Sequence, residues 1–201
     1  MKTDIILSGV GGQGILSVAT IIGEAATRMG LTLKQAEVHG MSQRGGDVQS
    51  NLRLSDAPIS SDLIPLGAAD MILSLEPMEA LRYLPYLSAE GWIITSTAAF
   101  KNIPNYPDEE ALMAELNSQP HVVALDIEKL AKENQMPKSG NVILLGAAAA
   151  FLKILDASTL RESVGRIFAS KGEAVVEMNN RAFDLGYDFV KRINLSFASK
   201  V

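Results

Sequence analysis

The sequence predicts an α/β protein of Rossmann-like type, a mostly parallel sheet flanked by helices, followed by a helical C-terminal part. Three observations predict it. A glycine cluster, Gly9-Val10-Gly11-Gly12-Gln13-Gly14, separates a short apolar run from a long amphipathic one. Apolar runs of strand length then alternate with segments of helical spacing, the pattern of parallel strands joined by covering helices. Beyond Asn141 only helical spacing remains. A chain of 201 residues suits one domain, 1–201, with an α/β core over 1–140 and a helical part over 141–201.

Taken in order, Ile5-Ile6-Leu7 has no polar alternation, as expected of a strand buried on both faces. Ile15, Val18, Ala19, Ile22, Ala25, Ala26 and Met29 then line one helical face, and Gly30 supplies a stop. Residues 31–38 read as a second strand. A polar, glycine-containing segment leads to residues 48–54, whose alternation predicts a half-exposed strand. Residues 71–75 and 92–95 are further strands, separated by a helix-like stretch over 78–87 that Pro85 interrupts. Residues 121–125 make the last strand, and the proline-containing 102–107 reads as a flexible connection. Helices are expected over 142–155, 158–169 and 173 to about 193; in the last, Val175, Met178, Ala182, Leu185, Phe189 and Ile193 step by three or four.

Composition excludes several function classes. Lys and Arg number 18 against 23 Asp and Glu, a net charge of -5, so neither nucleic acid nor a membrane surface is an expected partner. The absence of cysteine removes disulfides, thiolate nucleophiles, zinc knuckles and cysteine-held iron–sulfur clusters from this chain. Two histidines, His39 and His121, are too few for a histidine-built metal site. The longest uncharged apolar stretch, 142–152, falls short of the roughly 20 residues that span a bilayer, and the N-terminus lacks a secretory core. A cytoplasmic protein is expected, with no metal ligand and no catalytic residue of its own.

Gly9, Gly11 and Gly14 satisfy G-x-G-x-x-G after a strand and before a helix. Such a turn brings backbone close to a ligand and aims helix N-terminal amides at an anion. With Gly12 and Gln13 it is a candidate site for a diphosphate or carboxylate; the alternative is that the glycines only allow tight packing. Glu37 stands at roughly the 20-residue distance of a ribose-reading acid, and is either that or a surface carboxylate. A second loop places Ser42, Gln43, Arg44, Gly45 and Gly46 in succession, donors suited to an anion or a partner's carboxylate, or else an exposed turn. His39 and His121 read as packing residues. Asn141 either caps a helix or faces a ligand, and Asn179-Asn180-Arg181, unusual in a helix interior, suggests a polar contact such as one across an interface.

Taken together, the Gly9 to Gly14 turn with Ile15, the Glu37 to Gly46 segment, the strand to Arg53, Asp70-Met71-Ile72-Leu73-Ser74-Leu75-Glu76-Pro77 and residues 179–187 resemble the gamma-type domain of 2-oxoacid:ferredoxin oxidoreductases. The resemblance covers nearly the whole chain and is nearest to the stand-alone version that serves indolepyruvate. It implies a subunit of a complex that decarboxylates a 2-oxo acid on thiamine diphosphate, passes electrons through iron–sulfur clusters to ferredoxin, and forms an acyl-CoA. Thiamine diphosphate, magnesium and the clusters are then expected in a large catalytic partner subunit. This chain has no Gly-Asp-Gly followed by an Asn-Asn pair of the kind that holds them. By the same resemblance, Gly11, Gly12, Gln13 and Gly14, with Ser42, Arg44, Gly45 and Gly46, face coenzyme A or the partner, and the isolated chain is expected to be inactive. The alternatives are a gamma subunit serving pyruvate or 2-oxoglutarate, or a stand-alone NAD(P)-binding dehydrogenase.

Overall fold

A computed structural model describes residues 1–39, 45–101 and 103–198. The elements run β1 (Lys2–Val10), α1 (Ile15–Arg28), β2 (Thr32–His39), β3 (Asp47–Ser55), β4 (Ala69–Ser74), α2 (Pro77–Arg82), β5 (Leu87–Ser96), α3 (Glu109–Asn117), β6 (Val122–Leu125), α4 (Ile127–Glu133), α5 (Gly140–Ala149), α6 (Ala157–Phe168) and α7 (Glu173–Ala198). They build one sheet in the order β2-β3-β1-β4-β5-β6. The pairs β1/β4, β4/β5 and β5/β6 are parallel, as the alternation of apolar runs predicts, while β3 runs antiparallel to both β1 and β2. A connection as short as the one from β2 to β3 permits only an antiparallel neighbour, because a parallel one needs a crossover.

Insertion of β3 between β1 and β2 changes its expected environment. The alternation over 48–54 predicts a half-exposed strand, but Ser50, Asn51, Leu52 and Leu54 are all buried. An interior strand has neighbours on both edges, and its polar residues must then find internal partners. Asn51 does so by accepting the Ile64 N–H at 3.1 Å, from the connection to β4. At the same end Arg53 donates twice to the fully buried Asp4 carboxylate, at 2.8 and 3.1 Å, and also to the carbonyls of Ser61 and Leu63.

β1 is covered on both faces, as its uninterrupted apolar run requires. Ile5 and Leu7 join a core with α1, α5, α6 and α7, whereas Ile6 joins Ile72, Ala80, Ile93 and Leu116 on the side of α2 and α3. α1 ends where Gly30 predicts. Gly30 takes φ 70° and donates to Thr27 O, and Leu31 donates to Ala26 O, the paired bonds of a left-handed glycine stop.

Elsewhere the boundaries differ from the expected ones for identifiable reasons. The helix expected over 78–87 stops at Arg82; Pro85 lies in a 3₁₀ turn, Leu84–Tyr86, and β5 begins at once. α5 ends at Ala149 rather than 155, and Asp156 opens α6 by accepting the Thr159 N–H at 2.7 Å. α3 and α4 are too short to show a clear apolar period. Their N-caps, Asp108 and Asp126, accept the amides of Ala111 and Lys129.

In the helical part, α5 lies against β4 and β5, and α7 packs on α5 and α6. The α5/α7 crossing is close enough to exclude side chains. A Cβ at Gly186 would stand 1.8 Å from Ile143 O, and one at Gly146 would stand 2.0 Å from Phe183 O. The buried stripe of α7 therefore follows Asn179, Ala182, Phe183, Gly186 and Val190, with Met178, Leu185 and Phe189 at its flanks.

Candidate functional site

The parallel strands β1, β4, β5 and β6 end on one edge of the sheet, and the segments that follow them build the candidate site. This is where open α/β sheets characteristically bind ligands. The turn after β1 is shaped by its glycines. Gly12 and Gly14 take φ 104° and 92°, which side chains rarely adopt, and a Cβ at Gly14 would meet Asn141 Nδ2 at 2.6 Å. Gly14 stands at the N-cap of α1, where a glycine offers no side-chain hydrogen bond to the first amides of that helix.

The two glycine segments found in the sequence meet in space. Gly11 N–H donates to Gly46 O at 2.8 Å, and Gly45 N–H donates to Gly11 O at 3.4 Å. This junction uses the Gly11 amide for structure. Gln13 is also a brace: its Oε1 accepts Val10 N–H at 2.7 Å and its Nε2 donates to Leu75 O at 3.2 Å. Gly12 is the exposed residue of the turn, with open space beyond its Cα. Ser42 and Arg44, with Gln43, lie outside the described residues.

Gly11, Gly12 and Gln13 form one wall of a cleft of about 890 Å³ that also touches Leu75, Phe100, Lys132, Lys138 and Asn141. That volume falls within the roughly 300–1,000 Å³ of small-molecule sites. Among the described residues, two lysines and one acid, Glu128, contribute its charged side chains, and Lys138 holds φ 71°, uncommon for a residue with a Cβ. Ser139, not Asn141, stands at the N-cap of α5; Asn141 Oδ1 accepts the Val142 N–H of the first turn at 3.0 Å, and its Nδ2 reaches the Gly14 carbonyl at 3.3 Å. It thereby ties the start of α5 to the glycine turn. Sequence reasoning missed Lys132, Lys138 and Phe100, which no local motif marks.

Behind the cleft lies a buried acidic pair. Glu76 and Glu79 are almost wholly buried. Glu76 Oε2 accepts the Glu79 N–H at 2.8 Å, and its Oε1 accepts both Phe100 N–H at 3.3 Å and the Tyr106 hydroxyl. Tyr106, in the stretch expected to be flexible, is thus anchored to Glu76. Burial, the bond to Glu76 and its charge all push the Tyr106 phenol up, which keeps it a proton donor. Glu79 accepts two bonds from Arg82, at 2.8 and 3.2 Å, yet burial raises its carboxyl above the ordinary range; Arg82 opposes that rise, and Glu76 and Asp47 add to it.

Glu37, His121 and Asn179 fall outside the site. Glu37 pairs with Ser50 of β3, which pairs with Leu7 of β1, so it stands two strands from the glycine turn, roughly 10 Å laterally. In a nucleotide site the acid-bearing strand is β1's neighbour; here β3 occupies that place, and Glu37 is exposed. His121 stacks on Trp92 with centroids 5.0 Å apart, the packing role read from the sequence. Asn179 turns back to Val175 O at 2.8 Å, a contact within its own helix. Among the described residues, no group of three or more His, Cys, Asp or Glu could hold a metal ion, and no helix is long and apolar enough to cross a membrane.

Comparison with known proteins agrees with this architecture. The Thermococcus kodakarensis indolepyruvate oxidoreductase subunit IorB is 36% identical over 198 residues, 94% of this chain and 96% of that protein. The Archaeoglobus fulgidus subunit of the same name is 33% identical over 94% of this chain and 95% of its own. Among solved structures, the gamma subunit of a keto/oxoacid ferredoxin oxidoreductase from Geobacter sulfurreducens superposes with TM-score 0.69 at 24% identity, covering 94% of this chain and 99% of that one. The 2-oxoglutarate:ferredoxin oxidoreductase of Magnetococcus marinus gives TM-score 0.73 at 22% identity, with 95% of this chain matched to 31% of a longer one. With residues 4–189 matching its profile, the chain belongs to the pyruvate ferredoxin/flavodoxin oxidoreductase family.

Proposed function

We propose that this chain is the cofactor-free subunit of an oxidoreductase that converts an aryl 2-oxo acid such as indolepyruvate to its acyl-CoA while reducing ferredoxin. The observation that carries the substrate class is full-length similarity, at 33–36% identity, to subunits named for indolepyruvate oxidoreductase. Relatives named for 2-oxoglutarate or for pyruvate and ketoisovalerate stand lower, at 25%. Lacking cysteine, the chain supplies no thiolate to an iron–sulfur cluster. Thiamine diphosphate, magnesium and clusters therefore belong, on this reading, to a larger catalytic partner that supplies the decarboxylation and electron-transfer chemistry.

The cleft is this subunit's share of the reaction. Gly12 and the lysines at 132 and 138 suit the phosphates of coenzyme A, and Phe100 and Leu75 offer apolar surface. Gly9 and Gly11 hold the turn in shape, while Ser42 and Arg44 lead by sequence into the Gly45-Gly46 segment bonded to it. The Magnetococcus marinus neighbour was solved with coenzyme A and succinyl-CoA bound, which supports a coenzyme A-facing role. A panel of 2-oxo acids assayed with the reconstituted complex tests the substrate class. Preference for arylpyruvates is expected; preference for pyruvate or 2-oxoglutarate would overturn it.

A further inference from the structure

We propose that Glu76 is a positioning residue, whose buried carboxylate fixes the Phe100 wall of the cleft and locks it to the glycine turn. The inference rests on the reading of the cleft as a coenzyme A site and adds to it the element that sets its shape. Among the described residues, four N-terminal caps are acidic side chains, at Glu76, Asp108, Asp126 and Asp156. The bonds made by Asp108, Asp126 and Asp156 lie at the surface and serve the residues just after them. Glu76 is fully buried. Among the described residues its carboxylate accepts from three donors, and two of them, the Phe100 amide and the Tyr106 hydroxyl, come from outside its helix. Burying a carboxylate is costly unless its oxygens are satisfied, so a surface-type cap would serve α2 at lower cost. What the buried acid adds is a hold on the segment that carries Phe100.

The same residue is rigidly joined to the glycine turn. Ser74 Oγ donates to Glu76 O at 2.7 Å and accepts its N–H at 3.3 Å. The adjoining Leu75 donates to Ser8 O at 3.0 Å and accepts from Gln13 Nε2 at 3.2 Å. Phe100, 41% exposed at the cleft, is thus held through one carboxylate to the strand end that bears Gly11 and Gly12.

The test uses the reconstituted complex, with coenzyme A as the varied substrate. Glu76→Ala is expected to raise the KM for coenzyme A about tenfold, with kcat and the KM for the 2-oxo acid nearly unchanged. Glu76→Gln keeps a carbonyl oxygen for Phe100 and Tyr106 and is expected to recover most of the loss. Should Glu76→Ala fail to fold, Tyr106→Phe removes only the hydroxyl, and a several-fold KM rise is expected. Hydrogen exchange of the peptide holding Phe100 is expected to quicken in Tyr106→Phe, with α5 and α7 peptides unaffected, whether or not coenzyme A is present. Unchanged exchange, an unchanged KM in the folded variants, or a Gln variant as poor as the Ala one would each overturn the proposal. Gly12→Val tells the two readings apart. If it leaves the KM for coenzyme A unaltered, the cleft assignment fails while exchange still tests Glu76; if it raises that KM and the Glu76 and Tyr106 variants do not, the cleft stands and the positioning role falls.

Discussion

Replacing Gly186 with alanine sets helix propensity directly against packing. In an exposed helix interior, Gly→Ala stabilises by about 0.5–1 kcal/mol, since glycine loses more backbone entropy on folding. At position 186 the added methyl would fall 1.8 Å from Ile143 O, deep inside the 3.0 Å limit below which something must shift, and the obstacle is backbone. α5 and α7 would have to part by more than 1 Å. A gap of that size forfeits roughly a quarter to a half of each contact's dispersion energy, and overpacked cores lose about 1–3 kcal/mol from strain alone. Both effects strike Phe183 and Val190, buried at the same crossing. A net loss of about 3 kcal/mol is expected, read as a fall in urea midpoint and, for a domain of this size, a melting temperature lower by about 6–12 °C. Gly165 in α6 is the internal control. Its Cβ would meet nothing closer than 3.7 Å, so Gly165→Ala should stabilise by about 0.5 kcal/mol. Opposite signs at 165 and 186 are the prediction; a Gly186→Ala protein as stable as the parent would refute the packing argument.

Two further predictions concern buried charge. Arg53→Ala leaves the buried Asp4 carboxylate with Lys2, at 2.7 Å, and frees the 61–63 carbonyls, so a loss of about 3 kcal/mol is expected in urea unfolding, and a loss under 1 would contradict it. Glu79 titrates above the ordinary 4.5, chiefly through burial. An acid whose folded-state pKa is raised stabilises in its protonated form: that contribution is complete below about pH 4.5 and is lost as pH rises through the raised value. The stability of the parent minus that of Glu79→Gln should therefore grow as pH falls from 7 to about 4.5, and a difference that shrinks over that range would show that burial is not the governing cause.

Much of the fold was legible because its signals are local. Ile5-Ile6-Leu7, the turn to Gly14 and the stop at Gly30 each carry their own structural instruction. What could not be read was long-range. The alternation over 48–54 looks the same whether a strand lies at an edge or inside the sheet, and only the order of the sheet places β3 between β1 and β2 and carries Glu37 away from the turn. α3 and α4 have aspartate caps but too few turns to display a period. In the site, the glycine turn stood out, yet the use of the Gly11 amide and the Gln13 side chain as internal braces follows from contacts with Gly46 and Leu75 that no spacing reveals. Lys132, Lys138 and Phe100 reach the cleft from separate elements, and Glu76 reads in sequence as an ordinary acid before a proline.

The central claim is that this subunit contributes a binding surface and leaves the electron chemistry to a companion. It is tested most directly by measuring 2-oxo acid-dependent viologen reduction and acyl-CoA formation with the purified chain, with a large cluster-bearing partner, and with the two combined. No reduction is expected from the chain alone, and coenzyme A-dependent arylacyl-CoA formation is expected only in the mixture. Turnover of a 2-oxo acid by the chain alone, or failure of the two proteins to associate, would contradict it.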